Sequence, residues 1–137
     1  MTEPSDLLWE ATEYVTRDRV RRYAQVSGDA NAIHLSDEAA KAAGLPSAIA
    51  HGYLILGIVL HHADHWAAAN GVRITECDTR FVRPVHLGSA PAELVVAGVR
   101  KVPGLILASA AVRGTDATTR AVLRPIRITY EPSAPRD

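Results

Sequence analysis

Ser27-Gly28-Asp29-Ala30-Asn31-Ala32-Ile33-His34, followed seventeen residues later by His51-Gly52-Tyr53-Leu54-Ile55-Leu56-Gly57-Ile58-Val59-Leu60, is the stretch around which the chain is organised. Its second part starts the longest predicted helix, Gly52 to Ala69, whose first half is apolar on nearly all sides. A helix of that kind is buried all round, which calls for a sheet wrapped about it. Its second half turns polar at His61, His62, Asp64 and His65, and Asn70-Gly71 supplies the stop. The first part follows a shorter amphipathic helix that Gly28 is suited to end. Asp29 and His34 lie five apart, which splays them to different sides of a straight helix. Joint action therefore needs a loop that folds back, with Gly28 and Asn31 tolerating unusual backbone angles. A carboxylate and an imidazole on one tight loop beside a buried helix can hold and activate water.

Upstream, Trp9 to Val15 reads as a short strand, and Thr16 as the N-cap of a helix over Arg17 to Val26. Asp18 favours the positive end of that helix, and Arg19, Arg21 and Arg22 are expected to face solvent. Ser36 reads as a second N-cap, opening a helix over Asp37 to Ala43 that Gly44 stops, with Pro46 just beyond. From Val72 the character changes to strand. Val72–Val85, Ala90–Val102, Leu105–Arg113 and Arg120–Tyr130 are rich in valine, isoleucine and threonine. They are separated by Leu87-Gly88-Ser89, Pro103-Gly104 and Gly114-Thr115-Asp116. Such short turns join antiparallel neighbours. Pro125 predicts a bulge or an edge position in the last strand. The class is α+β, an antiparallel sheet wrapped around a long central helix. Residues 1–8 are expected to form a flexible arm, residues 9–131 a single domain and residues 132–137 a disordered tail.

Fifteen basic and fifteen acidic side chains leave no net charge, so nothing here suggests nucleic acid or an anionic membrane. The single Cys77 cannot form an internal disulfide and fits a reducing compartment. Met1 to Glu10 lacks the basic-then-apolar layout of a signal peptide, and Tyr53 to Leu60 is far too short to span a bilayer. The chain reads as cytoplasmic. No phosphate-cradling glycine loop or dinucleotide fingerprint appears, so no nucleotide cofactor is expected.

Tyr23, Ser27, Gly28, Asp29, Asn31, His34, His51 and Gly52 together carry a resemblance to the MaoC-like hydratases and dehydratases, the (R)-specific enoyl-thioester hydratase family. The stretch from Val26 to Gly57 looks especially like the catalytic subunit of actinobacterial (3R)-hydroxyacyl-carrier-protein dehydratases. With Arg80-Phe81-x-x-Pro84-Val85 included, the resemblance covers roughly Tyr23 to Gly88. Two positions depart from it: Ala32, where the family usually has proline, and Gly57, where some members have a serine that helps the site. The resemblance implies a single hotdog fold. It also implies reversible hydration of trans-2-enoyl thioesters, or dehydration of (3R)-hydroxyacyl thioesters, carried on coenzyme A or an acyl carrier protein.

In this reading Asp29 is the general base and acid, and His34 is its water-positioning partner. Asn31 holds the loop, and His51 either caps or orients the start of the long helix or touches substrate as a supporting residue. The first N–H groups of a helix lack intrahelical partners, and the resemblance implies that the thioester carbonyl lies near that end of the long helix, so the Gly52 amide is the first candidate oxyanion donor, with Gly57 a weaker one. Tyr23, Leu35 and Ile49 are candidate substrate-binding residues, and Ala39 and Leu45 are further guesses for the acyl tunnel. Taken alone, Asp29 reads as a turn former and His34 as a satisfied histidine; the joint pattern reverses both. His61 and His65 have an i,i+4 metal-binding spacing, but two ligands do not complete a tetrahedral site, and no metal is expected. Arg73, Arg80, Arg83, Arg100 and Lys101 are candidates to meet carrier phosphates, though as surface charges solubility explains them equally well. A homodimer is the expected assembly, with a heterodimer containing a second hotdog subunit as the alternative. A hotdog thioesterase or a non-catalytic acyl-binding subunit are the rival readings.

Overall fold

Thr16, Ser36 and Gly28 punctuate the first half of the chain as their side chains predict. The computed structural model describes residues 6–134. Strand β1 (Leu7–Val15) leads into helix α1 (Arg17–Ser27), where the Thr16 hydroxyl accepts the Arg19 N–H. Gly28 ends α1 at φ 79°, a left-handed conformation that suits glycine. A one-turn helix α2 (Ala32–Leu35) and a short α3 (Asp37–Ala42) follow; the Ser36 hydroxyl caps α3 by accepting the Ala39 N–H. Helix α4 (Gly52–Ala69) precedes β2 (Val72–Phe81), β3 (Ala92–Val102), β4 (Leu105–Arg113) and β5 (Thr119–Pro132).

The five strands form one antiparallel sheet in the order β1-β3-β4-β5-β2. The sheet wraps α4, as the hotdog expectation required. Ile55, Ile58, Val59 and Ala63 of α4 meet Leu94, Val96, Ile106, Ile126 and Ile128 of the sheet in one core. Each buried isoleucine there contributes roughly 1.5–3 kcal/mol of hydrophobic stabilisation.

Several boundaries differ from the sequence reading. β1 begins at Leu7, which pairs with Val99, so residues 7 and 8 belong to the sheet rather than to an arm. At the other end Pro132 pairs with Val72 and the Ser133 N–H bonds the Gly71 carbonyl, so the sheet reaches into the expected tail. The rest of both terminal segments, residues 1–5 and 135–137, lies outside the described residues. β2 stops at Phe81, because Val82 and Arg83 turn to bond the Val122 carbonyl and Pro84 offers no N–H. Pro125 sits in β5 between β4 and β2, not at an edge, and both of its ladders break register between Leu123 and Ile126. The bulge reading of that proline is the one observed.

The start of α4 is not buried all round. Tyr53 is 70% exposed and Gly57 is exposed as well, because a single sheet covers one broad face of the helix and leaves the Tyr53–Gly57–His61 ridge open.

Arg17 ties the helical half to the sheet. Its guanidinium donates to both Asp37 carboxylate oxygens and to the Leu87 and Gly88 carbonyls. Asp37 also accepts the Ala48 N–H. That backbone hydrogen bond, followed by the Arg17 guanidinium, holds the Asp37 carboxyl below its ordinary value.

Candidate active site

Asn31 caps α2 by accepting the Ile33 N–H, and the Asp29 side chain accepts the Asn31 N–H in turn. These two local bonds fold the loop back, so that His34 rises from a helical turn while Asp29 stands just before it. The Asp29 Oδ2 and His34 Nε2 atoms lie 3.9 Å apart. The carboxylate is half exposed, whereas the His34 ring is nearly buried.

The tautomers follow from the other ring atoms. His34 Nδ1 is 2.8 Å from the Ile49 carbonyl, which can only accept, so Nδ1 carries a proton and, in the neutral ring, it is Nε2 that turns a lone pair towards Asp29. His51 Nε2 is 2.8 Å from the Asp29 carbonyl, so it too donates. The His51 ring is 2% exposed and stacks on His34, with centroids 3.8 Å apart and planes at 25°. Tyr23 packs edge-on against His51 at 4.8 Å. The buried His51 Nδ1 has no hydrogen-bond partner among the described residues.

A cavity of about 340 Å³ opens beside this pair, lined by His34, Ile49, Gly52, Ile55, Phe81 and Arg83 among others. Its walls are predominantly apolar. Gly52 is the first residue of α4, and His51 makes no side-chain cap to the helix. The Gly52 N–H accordingly has no acceptor among the described residues, at the positive end of an eighteen-residue helix. A side chain at position 52 would collide with Phe81, whose Cε1 stands 2.7 Å from where a Cβ would sit. Glycine there lets the phenyl ring close one wall of the cavity.

Asp29, Asn31, His34, His51, Gly52 and Ile49 are thus brought together. Gly57 is not: it lines a separate hollow of about 280 Å³ with Tyr23, Tyr53 and His61. It is too far along the helix, and on the wrong face, to donate into the cavity. Leu35 is exposed and does not line the cavity. Phe81, Val82 and Val122 also line the cavity and lie outside the sequence-derived site residues; the Arg80-Phe81-x-x-Pro84-Val85 motif is the sequence signal for that wall.

Among the described residues, Asp29, His34 and His51 are the group whose potential ligand atoms gather, all within 4.8 Å of one another. The fit to an ion is poor, because the two imidazoles stack face to face and each commits one nitrogen to a carbonyl. His61, Asp64 and His65 do not form such a group, and His62 is bonded to Glu13. No helix of the described chain is long and apolar enough to cross a membrane.

The profile described as the MaoC like domain matches residues 5–116. The chain belongs to the MaoC-like dehydratase family. Over 83 residues this MaoC-like chain is 40% identical to the 3-hydroxyacyl-thioester dehydratase X of Mycobacterium tuberculosis, which covers 61% of the chain and 28% of that protein. A solved MaoC-like dehydratase superposes at a TM-score of 0.80 with 26% identity, over 94% of this chain and 40% of its own. The (R)-hydratase from A. caviae involved in PHA biosynthesis superposes at 0.69 with 15% identity, over 90% and 92% of the two chains. The ChsH1-ChsH2 complex from Mycobacterium tuberculosis matches at 0.68 with 18% identity, over 91% and 95%. The MaoC-like chain therefore spans less than a third of the curated relative and two fifths of the first solved one.

Proposed function

We propose that this MaoC-like domain reversibly hydrates trans-2-enoyl thioesters to (3R)-hydroxyacyl thioesters, using a water held between Asp29 and His34. The observation that carries this reading is the pairing of two acceptors, the Asp29 carboxylate and the bare His34 Nε2, 3.9 Å apart beside an apolar cavity. A water between them donates one hydrogen to each, which turns a lone pair outward as the nucleophile.

In the hydration direction the water oxygen bonds C3 as Asp29 takes its proton. The C2=C3 π pair moves towards the thioester carbonyl, giving an enolate whose oxygen meets the free Gly52 N–H and the helix dipole. A proton from the Asp29 carboxyl then bonds C2, the carbonyl reforms, and the net change is addition of one water. Dehydration runs through the same atoms in reverse. The partly buried His34 ring holds the water in line, fixed by its bond to Ile49.

The reading extends to a dimer. β2 is a sheet edge that ends at Phe81, beside the exposed Tyr53, so a second hotdog could cover both. One structural relative, the ChsH1-ChsH2 complex, is heteromeric, which supports a two-subunit enzyme as the alternative to the homodimer.

The test is the loss of enoyl absorbance when the purified protein meets crotonyl-CoA, with Asp29→Asn and His34→Ala alongside and chiral analysis of the product. Release of free thiol instead would identify a thioesterase. Hydration that survives in both variants would overturn the assignment of the pair.

A further inference from the structure

Strands β3 and β4 are apolar on both faces, and α4 covers only one of them. Leu94, Val96, Ile106 and Ala110 point towards α4 and are buried in the core. Successive strand residues alternate between faces, so the positions between them point the other way. There Val95 stands opposite Ala111, Ala97 opposite Ser109 and Val99 opposite Leu107. None of these six belongs to the core around α4, and each stays partly or fully exposed. A sheet whose second face meets only water carries polar side chains there. Here the middle of that face holds no charge at all.

The charges that flank this patch differ in sign from side to side. On the β1 side Glu10 stands beside Ala97, and on the β5 side Arg127 stands beside Leu107. Both are exposed, and neither makes an ion pair among the described residues. Glu93 and Arg113, at one end of the patch, pair with each other.

We propose that the outward face of β1, β3, β4 and β5 is a docking surface for a second copy of this chain, sheet on sheet. The size fits. Four strands about 4.8 Å apart, over the nine residues of β4 at about 3.4 Å each, offer roughly 600 Å² before rim side chains are counted. A standard interface takes about 800 Å² per partner. The small Ala97, Ser109 and Ala111 near the centre let the two sheets approach to the usual separation of about 10 Å.

Charge selects the arrangement. A closed pair is isologous, with its two-fold axis lying in the plane between the sheets. An axis across the strands sets β1 over β1 and Glu10 against its own copy. An axis along the strands, between β3 and β4, sets β1 over β5 and brings Glu10 of each copy to the Arg127 side of the other. Only the second is complementary. The contact uses neither the cavity nor the β2 edge, so it stands apart from the hydratase reading and from the edge-to-edge dimer.

Analytical ultracentrifugation of the folded full chain, across a series of concentrations, tests the interface. Val99→Lys puts a charge at the middle of the patch and is expected to halve the mass of the assembly. Glu10→Arg and Arg127→Glu should each weaken association about tenfold, because each sets like charges face to face. Combining both swaps in one chain should restore association to near the wild-type level, since the axis pairs each residue with the other. Circular dichroism checks the fold of every variant. The two swaps sit at exposed positions, so they read the contact even where Val99→Lys misfolds. A wild-type chain that sediments as a monomer throughout overturns the proposal. So does an assembly whose mass every variant leaves unchanged, or a double swap that associates no more tightly than the single ones.

Discussion

The imidazole of His34 lies face to face with that of His51, 3.8 Å between centroids, and His51 donates from its far side to the backbone carbonyl of Asp29. One buried ring thus braces both members of the proposed water-holding pair, His34 through its face and Asp29 through its edge. In the proposed mechanism His51 touches no reacting atom and serves as a positioning residue. Replacing it with alanine removes the stack and a buried hydrogen bond together, and should cost about 1–3 kcal/mol of stability. Turnover should fall while KM changes less. Urea denaturation and the crotonyl-CoA assay measure the two effects, and a folded variant with full turnover would mean that the loop holds its shape without the brace.

Asp29→Asn keeps the size of the side chain but removes the carboxylate that the proposed mechanism uses as its base. A reduction in kcat of about 10²–10⁴-fold is expected, the range typical of a lost general acid–base group. His34→Ala should fall in the same range, because the water loses one of its two acceptors. The double variant should be little worse than either single one, since both act on the same water.

Gly52→Ala should damage the enzyme through Phe81. The added methyl would stand within 2.7 Å of the phenyl ring, so the ring must leave the cavity wall. Phe81 is 51% exposed, so the ring swings aside at little cost to stability and the loss falls on the cavity wall. Pairing Gly52→Ala with Phe81→Leu should change activity non-additively, a coupling that a double-mutant cycle reads directly. Additive effects in that cycle would show that the two positions do not meet.

Acid should loosen the joint between α1, α3 and the 82–91 segment. The Ala48 N–H and the Arg17 guanidinium hold the Asp37 carboxyl below its ordinary value of 3.8. A folded-state value below the unfolded one means that the stabilisation is complete above 3.8 and is lost as pH falls through the lower, folded value. Asp37→Asn should therefore lower Tm near neutrality and flatten its decline on the acid side. Parallel Tm curves for wild type and variant below pH 5 (about one unit above the carboxylate range) would exclude this role for Asp37.

Much of this protein was legible from residue order alone because the relevant physics is local. Thr16 and Ser36 cap the helices that follow them, and Gly28 takes the left-handed turn that ends α1. Each of these depends on backbone groups within four residues. The strands and their antiparallel pairing followed from short turns and β-branched runs for the same reason. The co-occurrence of Asp29, Asn31, His34, His51 and Gly52 was equally readable as a pattern, and the fold brings those residues together.

Tertiary structure alone decided which nitrogen of His34 faces Asp29, because its Nδ1 bonds a carbonyl fifteen residues away. It also decided that His51 stacks beneath that ring, that Gly57 faces a different hollow, and that Pro125 lies inside the sheet at a break in two ladders. Helical and strand periodicities specify which side of an element is apolar. They do not specify what will cover it, and that choice is made only when one sheet wraps one face of α4 and leaves the other open.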